Sequence, residues 1–200
     1  VGEIGIHERA DGEWRVYGRG HDQVVRSSSD LEEVLAALIN RMVAPANAPL
    51  CFHAGAVRSP GGHVVGLPGH SGSGKSTLAG AFVRAGWDYL TDEALGVRPG
   101  SLQAVGYPKP LSLDETSCRL LGPGPGRDPM VRVRRLRPGA AALVGDVGPV
   151  SLIAFPTHVP GSEPVVTTLA PDDAVVELAS HAINLTPTGR DGLQTIVEIA

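Results

Sequence analysis

Gly69-His70-Ser71-Gly72-Ser73-Gly74-Lys75-Ser76 fits the pattern G-x-x-x-x-G-K-[ST], and each part of that pattern has a chemical task. Glycines let the backbone take turns that a side chain would obstruct. Successive N–H groups then point inward and cradle phosphate oxygens, and the start of a helix adds partial positive charge. Lys75 is suited to neutralise β and γ phosphates, and the Ser76 hydroxyl to reach a magnesium ion. Thr77 adds a further hydroxyl at the same helix start. The flanks agree: HVVGL before the loop reads as a strand and STLAGAFVRA after it as a helix. A chance match competes, because the chain holds 26 glycines. A full match with both flanks in place makes a nucleotide phosphate site the stronger reading. No Asn-Lys-x-Asp run specifies guanine, so the expected ligands are ATP and Mg2+.

Two acids, Asp92 and Glu93, close the strand that follows this helix. A strand–helix–strand unit crosses over right-handedly into parallel strands, so both carboxyl ends meet at the edge where ligands sit. Asp92 is thereby expected beside the γ-phosphate, where a carboxylate can hold Mg2+ through water or accept the proton of an attacking hydroxyl. The competing reading is a solvated turn, a common setting for acids. Strand alternation turns Glu93 toward the other face, which weakens its claim as a second metal ligand.

His53 precedes the loop by one hairpin. A turn at 58–62 that pairs Val57 with His63 places His53 across from Leu67, next to the loop entrance. There an imidazole can steady an acid or a transferring phosphoryl group; the alternative is a core histidine satisfied by backbone. His70 occupies a variable position of the loop and is expected to contribute backbone only. His7, His21, His63, His158 and His181 have no partner at metal-ligand spacing, so no zinc site is expected.

The elements that must position these groups follow from punctuation and periodicity. A short strand pair is expected over 3–25. Next comes a helix capped by Ser29 or Asp30, with Leu31, Val34, Leu35, Leu38 and Ile39 on one face and Pro45 as its stop. PLCFHAGAV and HVVGL form strands around the turn RSPGG, and Gly86 follows the loop helix as a capping glycine. WDYLT is the next strand. The region 97–121 reads as short strands and turns around YPKP, and GPGPGRDP as a loop. VRVRRLR, VSLIAF and the start of EPVVTTLAPDDAVVELASHAIN read as strands, the last running into a helix with Pro171 at its first position; the chain ends in a further helix. The expected layout is an N-terminal strand pair and helix over 1–48, packed on a core over 49–200, most simply as one compact domain.

Composition narrows the function classes. The 200 residues carry a formal net charge of −4, are 42% hydrophobic and only 4% aromatic. Nothing general favours nucleic acid or an anionic membrane. Two cysteines, Cys51 and Cys118, build neither a disulfide framework nor a zinc quartet. No apolar run reaches the length of a membrane span and no signal peptide is visible, so a cytoplasmic protein is expected. A local exception is the cluster Arg127, Arg132, Arg134, Arg135 and Arg137, suited to an acidic peptide or to guarding a strand edge. Lys109 stands between two prolines as a rigidly presented cation.

The segments FHAGAV, GLPGHSGSGKSTLAGAFVRAGWDYLTDEALGV and YPKPLSL, between Cys51 and Leu113, resemble the HPr kinase/phosphorylase family. They resemble still more its kinase-like relatives, some encoded beside ribosomal peptide pathways such as those for lasso peptides. The resemblance implies an α/β fold: a P-loop core of the HPr kinase/phosphoenolpyruvate carboxykinase type, a mixed sheet flanked by helices. It implies ATP-dependent transfer of the γ-phosphoryl group to a serine or threonine hydroxyl of a peptide or small protein. It maps the proton acceptor onto Asp92, the metal-assisting acid onto Glu93, the strand histidine onto His53, and the loop lysine and serine onto Lys75 and Ser76. Thr77 stands where the regulatory enzymes usually carry an acid, and Asp92-Glu93 replaces paired aspartates. Only about fifty residues precede the core, and NLTPTGRDG with Arg190 is a weak echo of the family's arginine loop. The resemblance therefore does not extend to an HPr substrate, the reverse phosphorolysis or a hexamer, and a homo-oligomer stays open. The same residues serve a kinase for a small metabolite such as free serine equally well, and a nucleotide-responsive binding module would need no base.

Overall fold

The computed structural model describes residues 4–18, 21–28, 30–31, 34–35, 38, 49–106, 111, 113–122 and 145–200. The chain divides into two compact units, Val1–Ala46 and Asn47–Ala200. The arginine cluster at 127–137, Lys109 and the stop at Pro45 lie outside the described residues.

In the first unit the expected strand pair is a three-stranded antiparallel meander: β1 (Gly5–Glu8), β2 (Trp14–Gly18) and β3 (His21–Val25). The third strand pairs tightly, from Gly18↔His21 to Trp14↔Val25. Val16 and Val25 are fully or almost fully buried and pack with Leu38, Leu31, Val34 and Leu35, the apolar face of a helix that follows. Ser27 caps that helix rather than Ser29 or Asp30: its hydroxyl accepts the Asp30 N–H at 3.0 Å, satisfying a donor that the first turn leaves unpaired.

The second unit is mixed α/β. Its strands are β4 (Leu50–Arg58), β5 (Val64–Pro68), β6 (Asp88–Thr91), β7 (Ala94–Val97), β8 (Gln103–Gly106) and β9 (Gly145–Ile153). Its helices are α1 (Lys75–Arg84), α2 (Glu115–Leu121), α3 (Pro171–Ser180) and α4 (Leu185–Ile199). The strands are ordered β5-β9-β8-β7-β4-β6, and β5 also pairs with β4. That extra pairing closes β5, β9, β8, β7 and β4 into a five-stranded barrel, with β6 as a branch on β4. A closed ring was not expected from the sequence, because the hydrophobic pattern of a strand does not name its partners.

β4 makes the closure possible. It is long enough to pair with β5 over Ala54–Arg58 along one edge, and along the other with β7 near its start and β6 near its end. β5 and β6 are both antiparallel to β4 and therefore parallel to each other, with β4 between them rather than adjacent. The hairpin turn consumes Ser59–His63, with Ser59 N–H bonded to the His63 carbonyl at 2.9 Å. Pairing starts at Arg58↔Val64, two residues from the expected Val57–His63 register. His53 thus lies one step beyond the final Ala54↔Pro68 pair, level with the loop itself rather than with Leu67.

Alternation along β4 sorts two cores. Leu50, Phe52, Ala54 and Ala56 face a cluster with Leu90, Leu95, Val97, Leu178 and Ile196. Val57 joins Val65, Leu67, Ala79 and Val83, the interface between sheet and α1. Two further expectations change. The stretch before Pro171 is not a strand: Val165 and Val166 are 80% and 98% exposed and pair with nothing described. The region after β8 contains a helix, α2, whose start is fixed by the Asp114 carboxylate accepting the Ser117 N–H at 2.7 Å. α3 has Pro171 at its first position and Asp172 and Asp173 in its first turn, as its sequence predicts. Among the described residues no helix is long and apolar enough to cross a membrane.

α1 ends in a left-handed turn that aims the chain into β6. Gly86 has φ +99, its N–H bonds the Val83 carbonyl at 3.0 Å and the Trp87 N–H bonds the Phe82 carbonyl at 3.1 Å. The Phe82 and Trp87 rings close the motif at 4.6 Å. Gly86→Ala should destabilise the protein by about 1–2 kcal/mol, the cost of a Cβ in that conformation, read as a lower urea midpoint at unchanged slope.

Candidate functional site

The loop from Gly69 to Gly74 joins β5 to α1. Gly72 and Gly74 take positive φ, +79 and +96, so the chain reverses and enters α1 with its first N–H groups pointing back into the loop. Gly69 is buried, while His70, Ser71 and Gly72 are exposed. Lys75 is only 7% exposed, and its ammonium donates to the carbonyls of Gly69 at 2.7 Å and His70 at 2.8 Å. Burial lowers the Lys75 pKa, against the pull of Glu93 and Asp92, which raise it. The Ser73 hydroxyl is buried with no partner among the described residues.

Asp92 stands at the break between β6 and β7 and is 3% exposed. Its Oδ2 accepts the Ser76 hydroxyl at 2.9 Å and its Oδ1 the Tyr89 hydroxyl at 2.8 Å. The two motifs that the sequence separates therefore meet in space, and Asp92 is not a solvated turn. Tyr89, two residues into β6, escaped the sequence reading because a strand tyrosine looks like core. Burial, followed by the charge of Asp92, pushes its phenol far above the usual range, so it remains a donor.

Glu93 sits differently. Its carboxylate lies 3.5 Å from His53 Nδ1, and its carbonyl accepts the Ala54 N–H at 3.2 Å. The His53 pKa is lowered by burial first and by the nearby Lys75 charge second. His53 is thus assembled with the loop and the acids, paired with Glu93 rather than with Asp92. Thr77 turns its hydroxyl to Ser117 of α2 at 2.6 Å, which ties the helix start to its neighbour. Arg190 is exposed beyond Gly189, where α4 breaks at φ +55.

The last contributor comes from the C-terminal helices. The linker between α3 and α4 lies along the free part of the β4 edge. The His53 N–H bonds the His181 carbonyl at 2.8 Å, the Ile183 N–H bonds the Cys51 carbonyl at 2.7 Å, and the Asn184 side chain accepts the Cys51 N–H at 2.7 Å. This brings the His181 ring to 4.8 Å from that of His70, so the side chain of His70 is engaged as well as its backbone. Burial pushes the Cys51 thiol up to about 11.

These residues fit the ligands expected of them. Orphan N–H groups at a helix start, a lysine and an unpartnered buried hydroxyl suit a polyphosphate. Ser76 Oγ and the Asp92 carboxylate are hard oxygen donors of the kind Mg2+ takes. Comparison of the chain with protein-family models, curated proteins and solved structures finds no match.

The lowered His53 pKa has a consequence for stability. The unfolded chain takes up a proton near 6.5, while the folded form resists it, so the unfolded state binds more protons below that pH. The contribution of neutral His53 is complete above 6.5 and is lost as pH falls through the folded value. The urea midpoint should therefore drop between about pH 7.5 and about pH 5.5 by less in His53→Gln than in the wild type.

Proposed function

We propose that the chain is an ATP-dependent kinase that transfers the γ-phosphoryl group to a serine or threonine hydroxyl of a peptide or small protein. We propose too that its second unit is a P-loop core of the HPr kinase/phosphoenolpyruvate carboxykinase type. The observation that carries the reading is the 2.9 Å bond between Ser76, at the start of α1, and the buried Asp92. It joins a phosphate-type loop to a sequestered carboxylate across the sheet edge, the pairing that phosphoryl transfer requires.

In this reading Lys75 exchanges the Gly69 and His70 carbonyls for β and γ phosphate oxygens. Ser76, with Asp92 through water, would hold a magnesium ion, which would neutralise charge on the phosphates. The acceptor hydroxyl oxygen forms a bond to the γ phosphorus, the bond to the β–γ bridging oxygen breaks, ADP leaves, and Asp92 takes the hydroxyl proton. His53, beside Glu93 and within reach of the Lys75 charge, supports the acid cluster from β4. A formal charge of −4 supports a peptide acceptor over nucleic acid or membrane, and a cytoplasmic setting is part of the same proposal.

Labelled ATP offered with peptides, HPr-like proteins and free serine tests the assignment. Asp92→Asn should keep ATP affinity and lose transfer by about 10²–10⁴-fold, while Lys75→Ala should weaken both. Wild-type transfer by Asp92→Asn to an identified acceptor would remove Asp92 as the base.

A further inference from the structure

His70, Glu177 and His181 offer three ligand atoms that all lie within 4.8 Å of one another. We infer that they form a binding site for one divalent transition-metal ion of the zinc class, which ties the phosphate-type loop to the end of α3.

Two of the ligands are already in place. Glu177 and His181 are one helical turn apart, and Glu177 Oε1 lies 3.3 Å from His181 Nε2. Tetrahedral zinc with bonds of about 2.0–2.1 Å spaces its ligands about 3.3 Å apart, so this pair spans one edge of the polyhedron. His181 is 5% exposed, and its backbone is held on β4 by the His53 N–H at 2.8 Å. The Phe155 ring stacks on it at 6.2 Å, so its position is set before any ion arrives. Burial lowers its pKa, which favours the neutral ring that metals require. His70 is exposed on the loop, and with a widest separation of 4.8 Å its side chain has at most about 1.5 Å to close.

The donor set decides the ion. Two imidazoles and one carboxylate suit zinc, cobalt or nickel and not magnesium, which prefers an all-oxygen shell. Three protein ligands leave a fourth position for water. This site uses neither Ser76 nor Asp92, and it does not depend on the kinase reading. The competing account is a Glu–His hydrogen bond at the end of α3 with the His70 ring merely tilted against it, and removal of His70 separates the two.

The full chain, stripped with chelator and dialysed, should bind one equivalent of Co2+ with the visible absorption of a low-coordinate site. Zn2+ should displace it and raise the melting temperature. His70→Ala and Glu177→Gln, both outside the core, should each weaken Zn2+ binding by about tenfold or more, and His70→Ala should lose the thermal shift. Asp92→Asn should bind Zn2+ like the wild type. Absence of saturable Co2+ or Zn2+ binding, or equal affinity in His70→Ala, overturns the site.

Discussion

β4 is the constraint on which the arrangement depends. Its two edges serve β5 on one side and β6 with β7 on the other, so everything attached to those strands is referred to one continuous element. β5 runs out at Pro68 and hands the chain to the loop; β6 runs out at Thr91 and hands it to Asp92. The opposite direction of β4 makes those two exits point the same way. The same strand, where β5 no longer covers it, receives the α3–α4 linker. Loop, acids and His181 are neighbours because three separate segments read their position from β4.

What that convergence protects is a buried carboxylate. A carboxylate removed from water without partners is strongly disfavoured. Asp92 is compensated by two hydroxyl donors and by the Lys75 ammonium, whose own pKa feels its charge. A hydrophobic residue of similar size would be simpler to bury at this level of the sheet. A sequence that keeps an acid there, and supplies its donors from α1 and β6, has the local inconsistency that functional sites characteristically show.

Much of this was legible in advance, for identifiable reasons. The loop pattern and the capping Gly86 are local: spacing and glycine placement encode them within a few residues. The approach of Asp92 to the loop followed from the expected right-handed strand–helix–strand crossover, although the intervening β4 and the direct bond to Ser76 were not foreseen. What escaped was non-local. The hairpin register moved by two residues because hydrogen bonds within Ser59–His63 set where pairing begins. The barrel closure rests on β5 finding β9 in parallel across a long stretch of chain. α2 was hidden because its apolar residues are few, and its start depends on the single side chain of Asp114. His181 carried only a local signal, Glu177 one helical turn before it, since its other neighbour His70 lies far away in sequence and only the docked linker brings them together.

The two oxygens of Asp92 are not equivalent, and the difference gives the site its direction. Tyr89 lies within β6 itself, and burial and the carboxylate raise its phenol well above the usual range, which favours the donor form. That hydroxyl donates to Oδ1 and fixes the carboxylate from the strand side. Oδ2 is held by Ser76, a hydroxyl that can rotate and that stands at the mouth of the loop. One oxygen is anchored from within the strand, and the other meets the hydroxyl at the start of α1. In the proposed kinase that asymmetry would let Oδ2 pass from Ser76 to a ligand while Tyr89 holds the carboxylate in place.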